Sequence, residues 1–176
     1  MASQIVHPQG RHAHLTITPL ESFPPAAQRE FDQYLISSRN GSRIRVTDAK
    51  LKRIEIWLRD SPTEQATLFP NGLLPAEKSE RCWARKHFRF STREHDDTSV
   101  YRIKPQKVTD SDNLPNHTRD IELQVIAEGS IYDTIKREHE NLGHARSRAC
   151  WMALKHTYGM TREDVEVLLG LCQNCA

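Results

Sequence analysis

The sequence predicts an α+β fold, mainly α: N-terminal helices with a small antiparallel sheet, then a three-helix unit closed by a metal ion. Three observations carry this. Several stretches repeat apolar residues at i, i+3, i+4 spacing, which gives a helix one buried face. Three short stretches alternate apolar and polar residues, as half-buried strands do. The last stretch holds His139-Glu140-Asn141-Leu142-Gly143-His144 and Cys172-Gln173-Asn174-Cys175, a His-x4-His-x27-Cys-x2-Cys pattern.

The chain has 176 residues, of which 37% are hydrophobic, with a mean hydropathy of −0.68. That length makes one or two small domains with a modest core, and a metal site compensates for a small core. There is no apolar N-terminal stretch of signal-peptide type and no run of about 18 apolar residues. A reducing, intracellular compartment is therefore expected, where paired cysteines hold metal more often than they form disulfides. Of four cysteines only Cys172 and Cys175 are close; Cys82 and Cys150 stand alone. The formal charge of +2 hides a gradient. Residues 39–107 hold 16 basic and 9 acidic side chains, residues 108–129 hold 1 and 5, and residues 130–176 hold 6 of each. Any electrostatic footprint for nucleic acid therefore lies in the middle of the chain.

Residues 1–20 read as a flexible tail; His7, His12 and His14 lie there without partner ligands. A first unit, 21–126, follows. Pro24-Pro25 opens a helix with Phe31, Tyr34 and Leu35 on one face, and Gly41 ends it. Thr47 or Asp48 caps a second helix, running to about Arg59, with Leu51, Ile54, Ile56, Trp57 and Leu58 apolar. Ser61-Pro62 stops it, and Phe69-Pro70-Asn71-Gly72 is a turn. Pro75 opens a third helix through Trp83. His87–Ser91 and Ser99–Ile103 form a β-hairpin across Asp96-Asp97. Residues 105–118 are a polar loop, and Ile121, Leu123 and Val125 form a strand that joins the hairpin.

A second unit, 127–176, is helical. Ser130-x-x-Asp133 starts its first helix as a capping box, with Ile131, Ile135 and Leu142 facing inward. His139 follows Ile135 by four residues, so it points inward too. Gly143 breaks the helix and frees His144 to reach the same ion. Residues 146–156 form the middle helix with Ala149, Trp151, Met152 and Ala153; Cys150 on it is a small buried hydrophobe. Tyr158-Gly159 is a turn. Thr161-x-x-Asp164 caps a last helix with Val165, Leu168 and Leu169, whose end delivers the cysteines. Trp57, Trp83 and Trp151 fall on apolar faces and are expected in cores.

His139, His144, Cys172 and Cys175 are the candidate metal ligands. Two imidazoles and two thiolates fill a tetrahedral shell, which suits one structural Zn²⁺ and leaves no open position for a substrate. Glu138 and Glu140 flank the first ligand, yet both are expected in solvent. No Ser/His/Asp arrangement and no phosphate-cradling glycine loop stands out, so no enzyme is expected.

At these residues the chain resembles the HHCC zinc-binding domain of retroviral and gypsy-type LTR-retrotransposon integrases. The matching elements are Tyr132-x6-His139, Gly143-His144, Lys155-x2-Tyr158, Arg162-Glu163-Asp164-Val165 and Cys172-x2-Cys175. Residues 48–104 are similar in layout to the helix-and-hairpin extension that precedes this domain in gypsy-type integrases. Two positions depart from the family: Arg146 stands where a glycine is common, and Tyr158-Gly159 where Trp-Pro is common. The catalytic core of the family, with its acidic triad, would follow Ala176. The resemblance therefore implies a host protein derived from an integrase, or a fragment of a larger one, located in the nucleus.

Two functions are open. The resemblance implies protein–protein assembly, either self-association or a protein partner, and the charge balance of 130–176 agrees. Alternatively the basic middle binds nucleic acid without reading sequence, with Arg43, Arg45, Lys50, Arg53, Arg85, Lys86 and Arg89 on phosphates. Neither a membrane nor a small-molecule substrate is expected.

Overall fold

A computed structural model describes residues 22–38, 44–59, 62–91, 99–108 and 117–175. The 1–20 tail, the helix stop at Gly41, the residue pair Asp96-Asp97 and Arg43 lie outside the described residues. The chain is mainly helical with a small four-stranded mixed sheet. No described helix is long and apolar enough to cross a membrane.

Helix α1 spans Pro25–Ser38 and buries Ala27, Phe31 and Leu35. Helix α2 spans Asp48–Arg59; the Thr47 hydroxyl accepts from the Lys50 amide at 3.2 Å, the capping contact of its first turn. Pro62 does not simply stop that helix. It sits in the first turn of a short further helix, α3 (Pro62–Leu68), where a proline's missing N–H is not needed. Gly72 then closes the expected turn: its amide donates to the Phe69 carbonyl at 2.9 Å, with φ 80°. Helix α4 runs Pro75–His87, four residues beyond Trp83, and passes directly into β1 (Phe88–Phe90).

Strand β2 is Val100–Val108 and β3 is His117–Val125, paired antiparallel from Tyr101↔Gln124 to Val108↔His117. The stretch expected as a loop from 105 to 118 is thus strand at both ends. Pro105 is tolerated because β1 reaches only to Arg102, and among the described residues no strand pairs with the outer edge of β2 beyond it. A two-residue strand β4 (Thr157–Tyr158) lies parallel to β3, so Tyr158 extends the sheet where a turn was expected. The bend follows at Gly159, whose φ is 114° and where a Cβ would meet the Ile126 carbonyl oxygen at 2.2 Å.

After a 3-10 turn at Glu128–Ser130 come α5 (Ile131–Asn141), α6 (Ser147–Leu154) and α7 (Arg162–Leu169). The two capping boxes fared differently. Ser130 makes no side-chain cap to α5, because the preceding 3-10 turn holds it at φ −104°, ψ −1°. At α7 the box forms in both directions: Asp164 N donates to Thr161 Oγ1 at 3.2 Å, and Thr161 N to Asp164 Oδ2 at 2.6 Å.

The buried residues form two clusters. One joins Val46, Ile54, Trp57, Ala84, Phe88, Val100 and Val125, so the sheet packs on α2 and α4. The other joins Ile131, Ile135, Cys150, Leu154, Val165 and Leu168 of α5–α7 with Phe23, Ala27, Phe31 and Leu35. Helix α1 therefore packs with the C-terminal helices, although it precedes the sheet in sequence. Within α6 the buried residues are Cys150 and Leu154; Met152 is 51% exposed, and Ala149 and Ala153 face solvent. Leu142, expected inward, is 39% exposed because α5 ends at Asn141 and the chain turns away. Trp57 is fully buried; Trp83 and Trp151 are half-buried.

Candidate metal centre

The first ligand comes from the last turn of α5. Ile131, Tyr132, Thr134 and Ile135 turn that helix inward, and His139 follows on the same side, fully buried. The Phe23 ring packs edge-on against the His139 imidazole, centroids 5.9 Å apart. Helix α5 then ends on two left-handed residues, Gly143 at φ 60° and His144 at φ 62°. Glycine takes that conformation freely, whereas a residue with a Cβ does so at a cost of roughly 1 kcal/mol. The outcome is that His144 doubles back, its amide donating to the His139 carbonyl at 2.9 Å. The imidazoles stand nearly perpendicular, 87° between planes, with centroids 4.8 Å apart.

The other two ligands come from the end of α7. Its last carbonyls are taken up by Gly170, Leu171 and Cys172 amides, and the Cys175 amide donates to the Cys172 carbonyl at 3.1 Å. That turn aims both sulfurs the same way. The loop is tied down from α1's side: Gln173 N donates to the Ser22 carbonyl at 3.0 Å, and Ser22 Oγ to Glu140 Oε1 at 2.9 Å.

All four donor atoms lie within 4.8 Å of one another. His139 Nε2 is 3.2 Å from His144 Nδ1 and 3.3 Å from Cys175 Sγ, and Cys172 Sγ is 3.4 Å from His144 Nδ1. A tetrahedral shell with metal–nitrogen bonds near 2.0–2.1 Å and metal–sulfur bonds near 2.3 Å has edges of about 3.3–3.8 Å. The donor set and its spacing therefore fit one four-coordinate ion. Burial first, and the neighbouring His144 second, lower the His139 pKa, which favours the neutral, ligating imidazole. Desolvation and the adjacent Cys172 sulfur raise the Cys175 pKa. Without a cation the thiol keeps its proton, and an ion must displace it to bind.

The structure thus brings together the four ligands expected from spacing. Cys82 and Cys150 lie elsewhere; burial pushes the Cys150 thiol up to about 11 and makes it inert. What the sequence did not disclose is the backing of the site by Ser22 and Phe23. Phe23 stands before a helix start with no periodicity to name its partner.

The described basic candidates lie on the stretch before α2, on α2, on α4 and on β1. Arg45 is a correction: it is 8% exposed and its guanidinium grips Asp164 with both nitrogens, Nη1 to Oδ2 and Nη2 to Oδ1, each 2.9 Å. It cannot reach a phosphate. Its position between Ile44 and Val46 in sequence named no acidic partner, which lies 119 residues away. Arg53 pairs with Glu80 and Arg89 with Glu122. Arg85 Nε donates to the Trp57 carbonyl at 3.1 Å. Lys50 and Lys86 are exposed, and the Lys50 ammonium lies 5.3 Å from the centre of the Trp83 ring.

No family model, no curated protein and no solved structure matches this chain.

Proposed function

We propose that this chain is a non-catalytic, integrase-derived interaction module, clamped by one structural Zn²⁺ and used for protein–protein assembly inside the nucleus. The observation that carries the reading is the convergence of two imidazole nitrogens and two sulfurs within 4.8 Å, a full donor set with no position left for substrate. Zinc is favoured among divalent ions because mixed imidazole and thiolate ligands in a closed tetrahedron suit it. The assembly role draws on the integrase resemblance of the same residues. It is supported by the metal unit's surface, where Met152 and Leu142 are large exposed apolar side chains amid balanced charge.

A second reading, nucleic-acid binding, rests on the exposed Lys50, Arg53, Arg85, Lys86 and Arg89, of which Arg53 and Arg89 are ion-paired; Arg45 is buried. Elemental analysis and sedimentation equilibrium test the first reading. It expects one zinc per chain and either self-association or a stable protein partner in pull-down. A metal-free, monomeric protein that binds duplex DNA, with affinity falling steeply between 50 and 200 mM salt, would replace it with the second.

A further inference from the structure

The two histidines present different nitrogens to the cluster. His139 uses Nε2, while His144 uses Nδ1. A neutral imidazole that offers the Nδ1 lone pair carries its proton on Nε2, and that proton needs an acceptor to hold the ring in this tautomer. His144 Nε2 lies 3.4 Å from the side-chain amide of Asn174, with Nδ2 facing it. Donor then faces donor. Exchanging the amide oxygen and nitrogen keeps the same shape and sets Oδ1 opposite the Nε2–H.

We propose that Asn174 is the positioning residue for His144: its amide oxygen accepts the Nε2–H and so presents Nδ1 to the metal. This rests on the metal reading above. Asn174 lies between Cys172 and Cys175, so the loop that supplies both sulfurs also orients one of the imidazoles. The two rings are held differently. His139 is fully buried and held edge-on by Phe23, whereas His144 is half-exposed and stands on a left-handed backbone outside any helix.

The test measures Zn²⁺ affinity of the full chain by competition with a chromogenic chelator, for the wild type, Asn174→Ala, Asn174→Leu and Asn174→Asp. Loss of an outer-shell partner of a ligating histidine lowers affinity roughly 10–100-fold. Ala and Leu are expected to weaken binding by that factor, while Asp, which keeps an acceptor, restores it. In ¹⁵N-labelled, zinc-loaded wild type the His144 proton is expected on Nε2 and slow to exchange, and fast-exchanging in Asn174→Ala. The inference is overturned if Ala and Leu bind within twofold of wild type, if Asp is as weak as Ala, or if His144 carries its proton on Nδ1. A wild type that takes up no zinc overturns the metal reading itself, and this inference with it; a loaded wild type with unaffected variants overturns this inference alone.

Discussion

Replacing Arg45 by Met tests what holds α1, the stretch before α2 and α7 together. Asp164 is fully buried and accepts four hydrogen bonds: two from Arg45 at 2.9 Å, one from Tyr34 Oη at 3.1 Å and one from its own capping box at 2.6 Å. The Arg45→Met change keeps the length of the stem and removes two donors together with the only positive charge in that set. Removing one partner of a buried ion pair costs about 3–5 kcal/mol, because the other charge stays behind. Tyr34 and the Thr161 amide still solvate the carboxylate, so the lower end, about 3 kcal/mol, applies. Against a typical total of about 5–15 kcal/mol that is a large share. Urea unfolding of the zinc-loaded protein, followed by far-ultraviolet circular dichroism, measures it. In an Asp164→Asn background the same substitution is expected to cost about 1 kcal/mol or less, a coupling of about 2 kcal/mol. A loss below about 1 kcal/mol in the wild-type background, or equal losses in both, refutes the reasoning.

Three further outcomes follow from the structure. Chelation, or Cys172→Ser, is expected to unfold α5–α7 and release α1, which shares their core; unchanged circular dichroism in a protein shown to contain no metal would contradict this. Gly159→Ala places a Cβ 2.2 Å from the Ile126 carbonyl oxygen at a φ of 114°, and is expected to cost at least about 1–3 kcal/mol in denaturant unfolding, whereas a neutral result would mean the β3–β4 junction yields. Stability is expected to fall above about pH 9: burial raises Cys150 to about 11, and burial with Asp164 raises Tyr34 to about 12, so the unfolded chain loses these protons first. The Tyr34 share is fully present below pH 10 and is lost as pH rises toward 12; Tyr34→Phe should remove that part of the decline, and an unaltered profile between pH 10 and 12 would count against it.

Local rules read most of the chain well. The ligand quartet was visible because Cys-x2-Cys and a glycine-broken helix end are short-range patterns, and Thr161-x-x-Asp164 became the capping box its spacing implied. Several of the errors share one cause, dependence on neighbours distant in sequence. Tyr158 looked like a turn residue beside Gly159, yet β3 was waiting to pair with it. Pro105 looked like a breaker, but β1 stops short of it. Arg45 looked like part of a basic surface until Asp164 enclosed it. On α6, Ala149, Met152 and Ala153 have the right spacing for a buried face; the core lies instead under Cys150 and Leu154, and composition could not decide between them.

The association of α1 with α7 bears on how the chain is made. Tyr34 and Asp164 are 130 residues apart, and a ribosome adding about 5–20 residues each second needs roughly 7–26 s to cover that distance. Throughout that interval Phe31 and Leu35 are made, while Val165 and Leu168 of the same core do not yet exist. The sheet cluster, which draws on nothing beyond Tyr158, has its parts sooner. Synthesis therefore runs against the grain of this core: the first of the described helices is among the last to find its place, and its apolar stripe is the surface a chaperone would meet on the nascent chain.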